Sequence, residues 1–477
     1  MKKIHNYLLL CLLLLTAFQA NAQKKGYNIK VTFSQPLNGN YVYLAHYYAK
    51  GLPTIYKVDS ARVDNKKQQV IFQRKDSLLG GVYLVLLNNN SQYFEILLDN
   101  GDAFEVQADT ARLPLGLTFK NSTANERYME MNNNFIAART RVNELKKEHP
   151  SEDISARARD IYKQAYQKNL EIAHAMGKHT LLSKIIYAFT PPNDPDPSGY
   201  TRNGEVDSMD LTYLLKEAYW DNYDLSDDRL IHTPFYENKL KYYFDNYVYN
   251  YLPDSVIYEA EKLLYLTRNT TENFKFTLQW LTNYTHSSKI MGMDIAFVHL
   301  AENYHMQGKA YWLDSVQLKK VTDRAITLAP NVIGRKGENF TLYDLYDLRK
   351  RSLYDVDARY TLLVFWSIDC GHCLKEVPQL KALYDSTLKA KGVKVFSVPT
   401  GEEQKKIQEK VAEFGIGEWT HVIDLGNGNS DYIKHYDAYT KPKIYLLDKD
   451  KIIRGKNLGH ENISQVIEAL ERREHKH

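Results

Sequence analysis

The chain has 477 residues, of which 62 are basic and 58 acidic, and its formal net charge is +4. A charge this close to balance gives no electrostatic reason to expect nucleic acid as a partner. The length allows roughly two to four domains, each large enough for a hydrophobic core of its own.

The first 22 residues have the pattern of a secretory signal peptide. Met1-Lys2-Lys3 is a basic start, Tyr7–Phe18 is an apolar run, and Ala20-Asn21-Ala22 is a small-residue cleavage site. We therefore expect residues 1–22 to be removed and the protein to be exported to the periplasm or cell envelope. Cys11 admits a lipoprotein as an alternative, but Leu10 before it is large and the apolar run continues beyond it.

Cleavage after residue 22 leaves Cys370 and Cys373 as the only cysteines of the three in the chain. An exported protein of this size with one close pair of thiols is not a disulfide-stapled scaffold. No later segment reaches about 18 consecutive apolar residues, so the sequence predicts no transmembrane helix.

Residues 23–120 alternate between apolar and polar side chains in the manner of strands. Gly80-Gly81 and Asn100-Gly101 supply turns between them. The predicted strands are Tyr27–Phe33, Tyr41–Tyr47, Val70–Gln73, Val82–Leu87, Tyr93–Leu98 and Ala103–Gln107. Several short strands at this spacing predict a small all-β domain, an antiparallel sandwich or barrel.

From about residue 121 the apolar period changes from two to about 3.6, which predicts an all-α domain over residues 121–330. Thr233-Pro234 has the pattern of a helix cap followed by proline at the first helical position, and Thr190–Pro197 is predicted to be a loop because its prolines block a helix. Other helices are predicted at Ala124–Lys147, Ser151–Gly177, from Asp210 and at Val316–Leu328.

Residues 331–477 alternate strand and helix patterns, which predicts an α/β sheet covered on both faces. The predicted strands are Tyr360–Trp366, Val393–Val398, Lys443–Leu447 and Ile452–Lys456. The predicted helices are Cys370–Ala390, Glu402–Phe414 and Asn462–Arg473.

Two cysteines lie where the first of these strands gives way to a helix. Cys373 shares a helical face with Val377 and Leu380, while Cys370 stands at the helix start. Unpaired N–H groups and the positive end of the helix dipole favour a thiolate there. Such a site can lower a cysteine pKa from about 8.5 into roughly the 3.5–7.5 range, so the pair indicates a redox dithiol.

This part of the sequence resembles the thioredoxin fold. Cys370-Gly371-His372-Cys373 follows the apolar run Leu363–Trp366, and Pro378 lies eight positions after the first cysteine. Tyr439–Asp448 is similar to the segment in which a cis proline, here Pro442, begins a strand facing the dithiol.

Export and Glu376 within Cys-x-x-Cys-x-x-Glu-x-Pro make residues 331–477 similar to the TlpA/ResA-like thiol-disulfide oxidoreductases of the thioredoxin superfamily. The resemblance implies that Cys370 is the attacking thiol, that Cys373 is the resolving thiol and that Pro442 is cis. The β and helical regions resemble appended domains of unknown function.

The sequence departs from thioredoxin at Val364, where thioredoxin keeps a buried aspartate. Glu376 is the candidate replacement, since a partly buried carboxylate at the rim of that helix face could relay a proton to Cys373. A solvated helix glutamate is the alternative. His372 and Asp369 flank the first thiol with opposite effects on its thiolate, and the sequence alone does not decide between them.

Other thiol chemistries fit the sequence less well. A c-type haem needs histidine at position 374, which is leucine, and structural zinc needs four ligands, whereas His475 and His477 lie on a terminal tail. A thiol peroxidase would, by family resemblance, want proline seven positions before the reactive cysteine and threonine or serine three before it. Ser367 meets the second demand, but Leu363 fails the first.

The sequence thus predicts an exported thiol-disulfide oxidoreductase with a redox-active CxxC motif, exchanging disulfides with envelope proteins. The expected partners are protein dithiols or disulfides and a membrane-bound electron donor or acceptor. No cofactor, metal, haem or nucleic acid is expected. The alternative is an envelope binding or scaffold protein in which the dithiol is an accessory. Reductase, oxidase and isomerase roles stay open.

Overall fold

In a computed structural model, the structure describes residues 25–87, 92–192, 201–202, 205–206, 208–426 and 431–474. The predicted signal peptide, most of the predicted loop after Pro192, and His475 and His477 lie outside these residues. The described residues form two compact units. One extends to Val248 and includes Leu263–Thr277; the other comprises Tyr249–Lys262 and the chain from Leu278 onward.

The first unit begins with strands that follow the alternation of the sequence. They are β1 (Tyr27–Phe33), β2 (Tyr41–Tyr47), β3 (Ile55–Arg62), β4 (Gln69–Arg74), β5 (Gly81–Leu87), β6 (Gln92–Leu98), β7 (Asp102–Ala108) and β8 (Leu117–Lys120), with the short pair β9 (Thr201–Arg202) and β10 (Glu205–Val206) further along. Two four-stranded sheets result, in the orders β4-β1-β7-β8 and β3-β2-β5-β6.

The two sheets enclose one core. Ile29 and Val31 from the first sheet and Leu44, Phe94 and Ile96 from the second are fully buried in it. The region is therefore a sandwich rather than a barrel. The prediction of an antiparallel arrangement is wrong for one pair, because β1 and β7 run parallel; local alternation carries no information on which strand becomes a neighbour.

The helical part begins at residue 123, close to the predicted change of period. Its helices are α1 (Thr123–Glu148), α2 (Ser155–Met176), α3 (Leu181–Phe189), α4 (Ser208–Ala218) and α5 (Tyr236–Asn246). Two more, α6 (Pro253–Thr267) and α7 (Glu272–Ser287), have residues in both units.

Two predicted helices in this part of the chain were placed with starts that are too early. Helix α2 begins at Ser155 rather than Ser151, because the Asp153 carboxylate accepts the Ser155 N–H and ends the preceding turn. Helix α5 begins at Tyr236 rather than at the proline after Thr233. The hydroxyl of Thr233 instead donates to the Leu230 carbonyl in the 3₁₀ helix Asp228–His232.

The second unit continues with α8 (Asp294–Leu300) and α9 (Ser315–Leu328) and then a mixed sheet. Its strands are β11 (Thr341–Asp344), β12 (Lys350–Ser352), β13 (Tyr360–Ser367), β14 (Val393–Thr400), β15 (Thr420–Ile423), β16 (Lys443–Asp448) and β17 (Ile453–Lys456). Its helices are α10 (Gly371–Leu383), α11 (Gln404–Glu413), α12 (Asp431–His435) and α13 (His460–Glu474).

The sheet order is β12-β11-β15-β14-β13-β16-β17. Strand β13 pairs in parallel with β14 and antiparallel with β16. Leu362 and Val364 point into one core and Leu363 and Phe365 into another, so the sheet is covered on both faces, as predicted. The described chain is thus an all-β region, a helical middle and a C-terminal thioredoxin-like α/β domain.

Within the described residues, we find no helix with the length and apolar character needed to cross a membrane.

Candidate active site

The candidate site lies at the end of the central strand β13. Its residues from Tyr360 to Trp366 are buried on both faces, and this near-continuous apolar run is what a strand with two covered faces requires. The chain emerges at Ser367, turns, and enters α10 at Gly371. The buried strand thus fixes the position from which the dithiol projects.

The two cysteines occupy different environments although they are three positions apart. Cys370 is the N-cap of α10, and its sulfur accepts the backbone N–H of Cys373 across 3.3 Å. Cys370 is partly exposed, whereas Cys373 has no exposed surface and packs in the same core as Val377 and Leu380. Both thiols are free.

These environments move the two thiol pKa values in opposite directions. Burial raises the pKa of Cys373 to about 12, and the neighbouring Cys370 sulfur adds to the rise. Burial alone would also raise the pKa of Cys370. Hydrogen bonds from the Cys373 thiol and from the N–H groups of Cys373 and His372, together with the charge of Lys441, outweigh burial and lower it. Of the two thiols, Cys370 therefore loses its proton first as the pH rises.

The segment before β16 faces the first thiol. The Lys441–Pro442 peptide bond is cis, as the resemblance implied. The sulfur of Cys370 lies 3.3 Å from the carbonyl oxygen of Lys441, to which the protonated thiol donates. Pro442 thus directly follows a backbone group that contacts Cys370.

Lys441 is a site residue that the sequence reasoning missed. Its ammonium donates to the Thr400 hydroxyl across 2.9 Å, and that hydroxyl donates to the Trp366 carbonyl at the end of β13. Burial lowers the pKa of Lys441, and the two thiols oppose that shift. The sequence feature that could have identified Lys441 is its position directly before Pro442, because a residue next to a proline that faces the dithiol also lies near the dithiol.

Glu376 is partly buried on α10, with both carboxylate oxygens bonded to His460 at the first turn of α13. One oxygen accepts the His460 backbone N–H at 2.6 Å, and the other lies 3.0 Å from its ring nitrogen Nδ1. His372 and Asp369 are exposed. What His372 directs at Cys370 is its backbone N–H.

Among the described residues, one set of side chains has the composition and spacing to hold a metal ion. Glu376, His460 and Glu461 each offer a ligand atom, and these atoms lie within 4.8 Å of one another. The His460 ring nitrogen already pairs with Glu376 at 3.0 Å and with Glu461 at 3.4 Å. The cluster is thus satisfied internally, and the expectation that the protein uses no metal stays a prediction.

A dithiol at a strand-to-helix junction, opposite a cis proline and in a mixed sheet covered on both faces, defines a thioredoxin-fold thiol-disulfide oxidoreductase. The AhpC/TSA family model matches residues 333–456, and a domain of unknown function (DUF4369) matches residues 27–128. The chain belongs to the TlpA/ResA-like thiol-disulfide oxidoreductases of the thioredoxin superfamily.

Three relatives each match about 30% of this chain. The thiol-disulfide oxidoreductase ResA of Halalkalibacterium halodurans is 30% identical over 145 residues, which are 30% of this chain and 80% of that protein. ResA of Bacillus thuringiensis is 29% identical over 140 residues, which are 29% and 78%. A solved domain of a possible thiol-disulfide isomerase from Cytophaga hutchinsonii is 34% identical, with a TM-score of 0.29 and coverage of 31% of this chain and 99% of that domain.

Proposed function

We propose that this oxidoreductase is exported and exchanges disulfides with envelope proteins through a mixed disulfide on Cys370. The observation that carries the proposal is the asymmetry of the two thiols. Cys370 is accessible and has a lowered pKa, whereas Cys373 is buried and its pKa is raised to about 12. In such a pair the first sulfur attacks the client disulfide and the second later resolves the mixed disulfide.

In the reducing direction, the Cys370 thiolate attacks one sulfur of a client disulfide. An S–S bond forms between Cys370 and the client, and the other client sulfur leaves as a thiolate. Cys373 then loses its proton and attacks Cys370, which expels the remaining client thiolate. The client gains two electrons, the enzyme becomes Cys370–Cys373 disulfide, and a membrane-bound donor must return the electrons. Oxidation of a client runs the same steps backwards with an acceptor.

The contact between Cys370 and Lys441 suits this cycle. The thiol donates to the Lys441 carbonyl, but a thiolate has no proton to donate, so the carbonyl is free to accept an N–H of the client in the attacking state. Pro442 has no N–H of its own and leaves that part of the strand open. We propose that Pro442 and the Lys441 carbonyl hold the client chain beside Cys370.

Glu376 and His372 take supporting roles in this proposal. Glu376 lies one helical turn after Cys373 and is the nearest acidic position along α10 to receive its proton, while His460 holds the carboxylate in place. The imidazole of His372 is exposed, so its effect on the thiolate is screened, and its backbone N–H makes the closer contribution.

Export rests on the signal-peptide pattern of residues 1–22. The proposed domain limits are 23–120, 121–330 and 331–477. N-terminal sequencing of the protein recovered from the cell envelope tests the export claim. A chain beginning at Gln23 supports it, and a cytoplasmic chain that retains Met1 contradicts it.

Reduction of insulin disulfides by the chain without residues 1–22 tests the chemistry. We expect catalytic turnover in the presence of dithiothreitol and its loss in Cys370→Ser. A matched control is Ser367→Ala, which removes a neighbouring hydroxyl but neither thiol. Turnover by Cys370→Ser equal to that of the unsubstituted chain would leave a scaffold protein with an accessory dithiol as the better description.

A further inference from the structure

The first unit contains a groove along the exposed edge of one sheet. Strand β6 is the last strand of its sheet, and a cavity of about 380 Å³ lies beside its first half. The apolar residues that line it include Met129, Phe135 and Ile136 of α1 and Leu115, and Tyr93 and Glu95 of β6 line it as well. We refer to this cavity as the edge groove.

Along the first half of β6, two residues that line the edge groove also have open backbone groups on the outer side of the strand. At Leu97 the outward N–H and C=O are both bonded to the side-chain amide of Asn125, at 2.8 and 2.9 Å. Because outward groups recur every second residue in a strand, those of Glu95 and Tyr93 point the same way. Within the described residues, these two have no backbone hydrogen bond on that side.

Asn125 therefore acts as a short substitute for a neighbouring strand. Its amide carries one donor and one acceptor, as a peptide group does, and it satisfies β6 at one position. The next two outward positions lie along the cavity. A free strand edge of this kind accepts an extended chain, which gains main-chain hydrogen bonds there.

The side chains of the edge groove add a charge preference. The Glu95 carboxylate accepts hydrogen bonds from the hydroxyls of Tyr47 and Tyr128, both buried, and the described residues place no basic group within ion-pair distance of it. Arg139 lines the same cavity and is exposed. A basic side chain beside Glu95 would supply the missing counter-charge.

We propose that the edge groove binds an extended polypeptide segment of a partner protein as an additional strand beside β6, with a basic side chain of that segment paired to Glu95. The apolar wall of α1 covers the alternate side chains of the bound segment. A small ligand would use the wall and the carboxylate but would leave the row of N–H and C=O groups unused.

Fluorescein-labelled octapeptides of alternating serine and valine with one central lysine test the proposal on the chain without residues 1–22. We expect saturable binding below about 1 mM. Two further peptides carry N-methyl groups on one or the other set of alternate residues. In one peptide the methyl groups replace the N–H groups that face β6, and this peptide should bind about tenfold more weakly. In the other peptide the replaced N–H groups face away from β6, and binding should be unchanged.

Replacing the central lysine by glutamate should weaken binding several-fold, and Glu95→Gln should reduce that discrimination. Glu130→Gln is the matched control, because Glu130 lies exposed on α1 and does not line the groove. Hydrogen exchange at single-residue resolution provides an independent measurement. The amides of Tyr93 and Glu95 should slow about tenfold with peptide, while those of Phe94 and Ile96, bonded to β5, stay protected throughout.

Equal loss of binding from both N-methylated sets, or unchanged exchange at Tyr93 and Glu95 with peptide bound, overturns strand addition. Binding of lysine amide as tight as that of the octapeptide overturns it in favour of a small-ligand site. These outcomes are independent of insulin turnover, which reports only on the dithiol.

Discussion

The backbone N–H of Cys373 points at the sulfur of Cys370 across 3.3 Å. This hydrogen bond is stronger to a thiolate than to a thiol, so it lowers the pKa of Cys370. We expect iodoacetamide to label Cys370 at pH values below those at which an ordinary cysteine reacts. Cys373, with a pKa raised to about 12, should stay unlabelled until the pH is far higher. Mass spectrometry of alkylated peptides against pH measures both, and equal labelling of the two thiols would contradict the assignment.

Replacing Lys441 tests a charged side chain that lowers the pKa of both thiols. Lys441→Met should raise the Cys370 pKa and slow alkylation several-fold near neutral pH, where the thiolate fraction limits the rate. Lys441→Arg keeps the charge and should restore most of the rate. Lys434→Met, an exposed lysine of α12, is the control. A rate profile unchanged in Lys441→Met would show that the ammonium does not act on the thiolate.

The backbone and side chain of His372 make separable contributions to the redox potential. His372→Pro removes the N–H that lowers the Cys370 pKa, so it should make the couple more reducing. A change on the order of 30 mV, about 1.4 kcal/mol, matches the loss of one hydrogen bond to a charged group. His372→Ala keeps the N–H and should shift the potential less. Equilibration with glutathione measures both, and equal shifts would assign the effect to the imidazole.

Glu376 has a capping role in the structure and a proposed proton-transfer role, and one substitution separates them. Glu376→Gln keeps an oxygen for the His460 N–H but cannot carry the proton. We expect the second step, attack by Cys373 on the mixed disulfide, to slow at least about tenfold. Glu461→Gln, exposed in the same cluster, should leave that step unchanged. Quench-flow detection of the mixed disulfide follows the step, and an unchanged rate in Glu376→Gln would leave only the capping role.

Asp227 links pH to the stability of the first unit. Its burial alone would raise its pKa, but hydrogen bonds from Arg229 and Lys184 outweigh burial and lower the pKa to about 2. A lowered carboxyl pKa stabilises the fold above the ordinary value of 3.8, and this contribution is lost as the pH falls toward 2. Asp227→Asn should therefore reduce the free energy of unfolding by about 2 kcal/mol at pH 7 and by little at pH 2.

Urea titrations at several pH values measure that difference. Asp221→Asn, an exposed aspartate a short distance along the chain, is the control. If Asp227→Asn is equally destabilising at both pH values, the effect is one of packing rather than of ionisation.

How far the sequence predicted the fold depended on how clean the local pattern was. Tyr27–Phe33 and Tyr41–Tyr47 were predicted to the residue, since apolar side chains alternate through the first and the second is almost continuously apolar. Strand β3 was missed because Ile55–Arg62 mixes lysine, aspartate and arginine with its apolar residues. Strand β15 was missed because it has only four residues. The parallel pairing of β1 with β7 could not be foreseen, because it depends on contacts between distant segments.

The site was predictable where its residues are close in sequence. The positions of Cys370 and Cys373 follow from one strand-to-helix pattern, and the prediction of a thiol-disulfide oxidoreductase of the TlpA/ResA type is confirmed. The hydrogen bond from Lys441 to Thr400 joins two strand ends 41 positions apart, and no motif marks it. Likewise, the partner of Glu376 is His460, 84 positions away. Leu363, the position at which the peroxidase pattern fails, is a fully buried strand residue.

The mature chain proposed here carries its only two cysteines three positions apart. A disulfide between them closes so short a loop that it restrains the unfolded chain very little. Outside that pair, no cross-link can hold the fold, and burial and hydrogen bonding must maintain it in either oxidation state. A strong reductant should therefore switch the protein's chemistry without melting it, and the protein should be obtainable, correctly folded, from a reducing cytoplasm.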